Sequence, residues 1–280
     1  MRPEQPSVQE DPPASAGIDL AALSDVGTER DHNEDACGTL LAEGLAVLAV
    51  ADGVSSSQGG EVASQMAIEV LLRAFGEEPA DRPAGTRLYR AVQQANIEVY
   101  DRSLAVPELH GMATTLLALA VEGDALTAVH VGDSRLYLWR QGRTLQLTKD
   151  HTLAAERVRM GVLSAEKARV HPDKSVLTRS VGRELIVNRD RLSQPLVEGD
   201  ILVACSDGLY NVLEDPEIGA LASRAQDAAA ACRALVEAAN RRGTGDNLTA
   251  GVLRVTGSLP APAALPPGGL VGRLRRLLGG

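Results

Sequence analysis

Leu45-Ala46-Val47-Leu48-Ala49-Val50-Ala51-Asp52-Gly53 is an apolar run that ends abruptly in an aspartate and a glycine. A buried strand that ends in this way delivers a carboxylate to the edge of a sheet and then turns the chain. The same arrangement recurs at Asp207-Gly208, and a third aspartate, Asp246, precedes another apolar run. We expect these three aspartates to converge on metal ions, because Mg²⁺ and Mn²⁺ prefer oxygen ligands.

The composition is that of a soluble globular protein. The 280 residues are 44% hydrophobic and 23% charged, which excludes disorder of the whole chain. The net charge of −9, with no basic stripe in the body of the chain, argues against nucleic acid as a partner. Cys37, Cys205 and Cys232 form no C-x-x-C pair, and we find neither a secretory signal nor an apolar run of membrane-spanning length. These features predict a cytoplasmic protein with reduced thiols, and we expect a monomer.

Three segments differ in composition. Residues 1–16 are rich in proline and polar side chains and are expected to form a disordered leader. Residues 17–256 are expected to fold as one domain. Residues 257–280 read as a Pro/Gly-rich linker and a short basic amphipathic tail. We favour a solvated end for this tail because it is short and contains glycines, and contact with an anionic membrane or a partner is the alternative.

Hydrophobic periodicity predicts both strands and helices in the central segment. Strands are expected over residues 18–26, 36–41, 45–52, 114–122, 125–131, 135–140, 144–147, 185–192, 201–205 and 248–255. Helices are expected over residues 60–75, 87–104 and 225–241, with another that begins at Asp215-Pro216 under a capping acid. Tight turns between neighbouring strands favour antiparallel sheets. Residues 150–173 are polar and arginine-rich and predict an irregular surface flap.

Six short motifs follow one another along the chain. They are Arg30-Asp31-His32-Asn33-Glu34-Asp35, Val50-Ala51-Asp52-Gly53, Gly111-Met112-Ala113-Thr114-Thr115, His130-Val131-Gly132-Asp133-Ser134-Arg135, Ser206-Asp207-Gly208-Leu209 and Gly245-Asp246-Asn247-Leu248-Thr249. In this order, over roughly residues 18–256, they resemble the type 2C (PPM) metal-dependent protein serine/threonine phosphatases of the bacterial type. The resemblance implies an α+β fold, a four-layer α/β/β/α sandwich in which antiparallel helix pairs flank two antiparallel sheets. It also implies that residues 17–256 are a phosphatase catalytic domain.

The resemblance further implies a two-metal site at one end of the sandwich. Asp52 would bridge two Mn²⁺ or Mg²⁺ ions. The carboxylate of Glu34 and the carbonyl of Gly53 would complete the coordination of one ion, and Asp207 and Asp246 would bind the other. A water that bridges the two ions would attack phosphoserine or phosphothreonine, with no covalent phosphoenzyme.

Three more residues receive roles from the same resemblance. Asp133, together with Asp207, would hold a weaker third ion. Asp35 would not bind an ion itself but would hold metal-bound water by hydrogen bonding. Arg30 would bind the substrate phosphate, for which its planar guanidinium is suited.

The implied partners are phosphorylated proteins, among them Ser/Thr kinases and their substrates. The alternative is a pseudophosphatase, an adaptor that binds phosphoproteins without cleaving them, although no acid of the motif set is missing. A second alternative is that the basic tail carries the principal function as a tether. We expect substrate selectivity to lie in the flap.

Simpler interpretations exist for single residues. Glu34 and Asp35 could be a solvated loop pair, Asp133 could cap a turn, and Arg30 could pair with Asp31. The ordered motif set favours the functional interpretation.

Other residues near the motifs are predicted to be structural. We predict that Asn247 and Thr114-Thr115 support the site by hydrogen bonding, that His151 is structural and that Cys205 packs in the core. Val54-Ser55-Ser56-Ser57 departs from relatives that carry His or Met at its first position, so protonation of the leaving oxygen would fall to metal-bound water.

Overall fold

The computed structural model describes residues 17–54 and 59–259. The predicted leader, the basic tail and the serine run after Val54 lie outside the described residues, so the expectations for them remain predictions.

The described chain contains strands and helices close to those that the periodicity predicts. The strands are β1 (Ile18–Asp25), β2 (Asp35–Ala42), β3 (Leu45–Val54), β4 (Ala113–Thr114), β5 (Leu116–Glu122), β6 (Ala125–Val131), β7 (Arg135–Arg140), β8 (Arg143–Gln146), β9 (Asp190–Pro195), β10 (Ile201–Cys205) and β11 (Leu248–Val255). The helices are α1 (Gly59–Glu77), α2 (Ala84–Ala105), α3 (Leu153–Arg159), α4 (Ala165–Ala168), α5 (Asp207–Tyr210), α6 (Asp215–Arg224) and α7 (Ala228–Arg241). Short 3-10 turns occupy Pro107–Leu109 and Pro172–Ser175.

The strands form two antiparallel sheets. One has the order β1-β11-β10-β7-β8, and the other has the order β2-β3-β5-β6-β9 with β4 paired to β3. Side chains such as Leu48, Leu117 and Leu253 are buried between the sheets. Helices α1 and α2 cover the outer face of the second sheet, and α6 and α7 cover that of the first. The predicted four-layer sandwich is therefore confirmed.

The strand predicted over residues 185–192 is wrong in its first half. Strand β9 begins only at Asp190, and the side chain of Ile186 is 75% exposed. The preceding segment is a loop because Asn96 of α2 donates hydrogen bonds to the carbonyls of Glu184 and Leu185. Those carbonyls bond to a side chain instead of a neighbouring strand, so an apolar run became a loop.

The helix predicted at Asp215 is confirmed, but its capping acid is not. Glu214 occupies the cap position of α6 without a side-chain hydrogen bond to the helix. Asp215 instead accepts a hydrogen bond from the hydroxyl of Tyr137, 3.1 Å away.

The cysteines are free thiols, as predicted. Cys205 and Cys232 are buried, and burial raises the pKa of the half-buried Cys37 to about 12. Cys205, the last residue of β10, is buried in the apolar cluster between its sheet and the outer helices, which confirms its packing role. No helix in the described part of the chain is long and apolar enough to cross a membrane.

Candidate metal and phosphate site

The backbone of Asp52 is fixed where β3 reaches the end of its sheet. Its N–H donates to Thr115 Oγ1 at 2.9 Å, and its carbonyl accepts from Thr115 N and Thr114 Oγ1, both at 2.8 Å. The predicted supporting role of these threonines is confirmed. No protein donor in the described ranges reaches the Asp52 carboxylate, so a rigid strand end presents a carboxylate without a protein partner.

Asp35 lies opposite Asp52 in the β2–β3 pairing and connects the two sheets. Its Oδ2 accepts hydrogen bonds from Ser206 Oγ at 2.6 Å and Thr249 Oγ1 at 2.8 Å, both from the other sheet's side of the sandwich. Burial raises the pKa of Asp35 to about 7, with the charge of Asp207 adding to the rise and the two hydroxyls opposing it. The structure therefore places Asp35 beside the metal-ligand candidates, where sequence reasoning expected it.

Glu34 packs against the start of α1 through two glycines. The N–H of Gly53 donates to the Glu34 carbonyl at 3.0 Å, and a Cβ on Gly53 would lie 2.3 Å from the carbonyl oxygen of Gly60. A Cβ on Gly60 would lie 2.8 Å from the Glu34 carboxylate. Burial raises the pKa of Glu34, and the charge of Asp246 adds to the rise. The glycines at this position leave room for the carboxylate.

Asp207 and Asp246 come from two different turns. Asp207 is the first residue of α5, and its Oδ2 accepts a hydrogen bond from Asn211 Nδ2 at 3.0 Å. Asp246 Oδ1 lies 3.0 Å from Arg30 Nη2, and both side chains are about half exposed. Arg30 therefore pairs with Asp246, and the ion pairs of the described residues do not include the alternative pairing with Asp31.

Asn247 holds the loop that carries Arg30 and Glu34. Its Oδ1 accepts from the Glu34 N–H at 2.9 Å, and its Nδ2 donates to the carbonyls of Val26 and His32 at 2.9 and 2.8 Å. The amide is buried, so each of its three hydrogen bonds replaces one to water. This confirms the supporting role predicted for Asn247.

The acids repel one another because they are close and buried. Burial is the first cause of the raised pKa of Asp52, and the charges of Asp35, Asp207, Asp133 and Asp246 raise it further. The pKa of Asp133 is raised by burial and by Asp207, and that of Asp207 is raised to about 6 by burial and by Asp246.

Cations would relieve this repulsion. Within the described residues Arg30 makes the one ion pair to these acids. Divalent cations would neutralise such a set, and its oxygen donors fit Mn²⁺ or Mg²⁺. No three of the acids have carboxylate oxygens all within 4.8 Å of one another in the described chain, so they do not form a cage around a single ion.

A second cluster, His130, His151 and Asp190, does bring its ligand atoms within 4.8 Å. The two imidazole rings are stacked, with centroids 4.6 Å apart and an interplanar angle of 12°. A ligating nitrogen points along the plane of its own ring, so two parallel stacked rings cannot aim at one ion. His151 Nδ1 also accepts the Gly132 N–H at 3.1 Å, and Arg179 Nη1 lies 2.7 Å from Asp190 Oδ1. The geometry makes this cluster structural, as predicted for His151.

The structure also shows partners that sequence reasoning missed. Ser206 and Thr249 bind Asp35, and Asn211 binds Asp207. Ser206 and Thr249 both lie within recognised motifs, but nothing local in the sequence indicates that their hydroxyls meet a carboxylate of the other sheet.

Known proteins resemble this chain in sequence and fold. The sequence model of the family described as Protein phosphatase 2C matches residues 28–250. A relative named serine/threonine phosphatase stp, from Listeria monocytogenes, is 35% identical over 230 residues, covering 81% of this chain and 91% of that protein. The crystal structure of the Mycobacterium tuberculosis serine/threonine phosphatase PstP/Ppp is 34% identical with a TM-score of 0.77, and the match covers 86% of this chain and 100% of that one. A crystal structure of the PstP catalytic domain in complex with 2 manganese ions is 33% identical with a TM-score of 0.75, and covers 86% and 99% of the two chains.

Proposed function

Because the chain belongs to the protein phosphatase 2C family, we propose that it hydrolyses phosphoserine and phosphothreonine in proteins with two bound Mn²⁺ or Mg²⁺ ions. The observation that carries this proposal is the cluster of mutually repelling carboxylates at one end of the sandwich. Each acid of the family's motif set is present, which favours an enzyme over the adaptor alternative.

The acids divide into two groups around Asp52. Asp52 would bridge the ions, with Glu34 and the carbonyl of Gly53 on one side and Asp207 and Asp246 on the other. Asp133 is close enough to Asp207 for the charge of Asp207 to raise its pKa, and it would contribute to a weaker third site. When bound, the ions would lower the pKa of water and neutralise charge on the phosphate.

Arg30 and Asp35 would act on the phosphate and on water. Arg30 uses Nη2 for Asp246 and Nε for the carbonyl of Gly245 at 3.2 Å, which aims the guanidinium at the site while it remains half exposed. Its remaining N–H groups can donate to phosphate oxygens. Both hydroxyl donors to Asp35 bind Oδ2, and the described residues offer no donor to Oδ1, which leaves that oxygen to accept from water.

The test compares the wild type with Asp207→Asn on a phosphothreonine peptide in the presence of Mn²⁺. We expect release of inorganic phosphate by the wild type and a loss of at least about a hundredfold in the variant, since one metal ligand is neutralised. Asp101→Asn, at an exposed position of α2, is the matched control and should hydrolyse the peptide at the wild-type rate. Equal rates for the wild type and Asp207→Asn would refute the proposal.

We also propose a cytoplasmic monomer that acts on phosphorylated proteins, including Ser/Thr kinases and their substrates, and not on nucleic acid. The net charge of −9 supports the exclusion of nucleic acid. Light scattering coupled to size exclusion tests the monomer. Comparing phosphoproteomes with and without the protein identifies the substrates, and sedimentation with anionic vesicles tests whether the basic tail is solvated as proposed.

A further inference from the structure

A cavity of about 630 Å³ lies between the flap and helices α5 and α6. We call it the flap pocket; its walls include Thr148, Val158, Asp207 and Tyr210. Because Asp207 is one of its walls, the pocket opens directly beside the candidate metal site. A peptide whose phosphorylated residue occupies that site would therefore place a neighbouring residue at the pocket.

Ion pairs account for the other acids that line the flap pocket. Asp150 accepts from Arg135 at 2.7 Å, and Asp215 lies 3.9 Å from the same guanidinium. Glu214 pairs with Arg169 at 2.8 Å. Apart from Asp207, each acid that lines the pocket therefore lies within ion-pair distance of an arginine.

Two lysines of the flap pocket remain without an acidic partner. Lys149 and Lys174 are both exposed pocket residues, and neither forms an ion pair in the part of the chain that the structure describes. Lys174 Nζ donates to Asn211 Oδ1 at 3.0 Å, and Asn211 Nδ2 in turn donates to Asp207 Oδ2. One ammonium thus stands two hydrogen bonds from a metal-ligand candidate.

The lysines of the chain are concentrated at the flap. Every lysine of the sequence, namely Lys149, Lys167 and Lys174, lies within or beside the flap, and all other cationic side chains except histidine are arginines. Arginine forms bidentate pairs with fixed carboxylates, whereas lysine is a mobile point charge that can follow a variable partner. Arg135 and Arg169 pair with acids of the pocket itself, and the lysines, which have no ion pair in the described chain, remain available to a ligand.

We propose that the flap pocket binds an anionic group of the phosphoprotein substrate, close in sequence to the residue that is dephosphorylated. The group is an acidic side chain or a second phosphate, since both offer oxygens to an ammonium. Lys174 lies two hydrogen bonds from Asp207, and an extended peptide advances about 3.3 Å per residue, so the anion would lie within a few residues of the phosphorylated one. This inference rests on the proposed phosphatase function and adds a sequence preference to it.

The experiment measures kcat/KM with Mn²⁺ for three phosphothreonine peptides: one with neutral neighbours, one with glutamate at the two positions on either side, and one with a second phosphothreonine in place of those glutamates. For the wild type we expect kcat/KM to be higher for the two anionic peptides than for the neutral one. Replacing either lysine, as Lys149→Ala or Lys174→Ala, should reduce that ratio about two- to fivefold, the range of an exposed ion pair. Lys149→Glu should reduce it further, and added salt should weaken the preference. The glutamate and phosphate arms decide which anion is preferred.

Lys167→Ala is the matched control, because Lys167 is exposed on the flap but does not line the pocket. It should leave the ratio at the wild-type value. Equal ratios for the wild type and both pocket variants, or the same decrease in Lys167→Ala, would overturn the inference. Fluorescence anisotropy of the labelled peptides is measured in parallel. If the wild type binds but does not hydrolyse them, the proposed function fails while the same comparison of affinities still decides the pocket.

Discussion

Replacing Asp207 with asparagine should stabilise the metal-free protein at neutral pH. Burial, and then the charge of Asp246, raise the pKa of Asp207 from 3.8 to about 6. The folded state therefore binds a proton more readily than the unfolded state. Such a group contributes stability below its unfolded pKa and loses that contribution as the pH rises through its folded pKa. Without metal, the wild type should lose stability between about pH 4 and pH 7, and the variant should lose less.

The size of the effect follows from the pKa difference. A shift of about two units corresponds to about 3 kcal/mol at about 1.4 kcal/mol per unit. The asparagine oxygen can still accept the hydrogen bond from Asn211, and any effect of losing a charge at the start of α5 is already contained in the net pKa shift. We therefore expect a gain of about 3 kcal/mol at pH 8 and much less at pH 4, where the folded-state aspartate is protonated.

The assay is urea unfolding in EDTA from pH 4 to pH 8, followed by the same series with Mn²⁺. The wild type should gain about 2.7 kcal/mol at a Mn²⁺ concentration a hundredfold above its dissociation constant, and Asp207→Asn should gain much less. Asp101→Asn reports the effect of losing an unrelated surface charge. If Asp207→Asn followed the wild type at every pH in EDTA, the raised pKa of Asp207 would not be the source of the pH dependence.

Three further substitutions test how the site is built. Asn247→Ala removes three buried hydrogen bonds and should lower the free energy of unfolding by about 2–4 kcal/mol in urea titrations. A loss below about 1 kcal/mol would contradict the supporting role of this amide. Gly60→Ala places a methyl group 2.8 Å from the Glu34 carboxylate, so calorimetry should show weaker Mn²⁺ binding while the melting temperature changes little; unchanged affinity would count against Glu34 as a ligand. Thr115→Val removes the acceptor for the Asp52 N–H and should cost about 1–3 kcal/mol, with Thr86→Val at a half-buried helix position as the control.

Local patterns in the sequence were sufficient for most of the strands and helices, and the family resemblance implied their four-layer arrangement. Periodicity predicted the β2–β3 hairpin and the helices α1, α2 and α7, because burial on one face imposes a repeat that the sequence carries by itself. It failed over residues 185–189, where the apolar pattern suited a strand but Asn96 of a distant helix held the backbone carbonyls in a loop. A pattern reports which side chains avoid water and does not report which backbone groups find partners.

The sequence by itself determined that Asp52, Asp207 and Asp246 stand where apolar runs meet turns, and the order of the motifs identified the family. The tertiary structure alone decided what surrounds these carboxylates. Ser206 reaches Asp35 across 171 residues of chain, and Lys174 is linked to Asp207 through Asn211. The physical reason is that strand ends are specified by local burial, whereas the neighbours of a strand end depend on the strand order and on how the two sheets pack together.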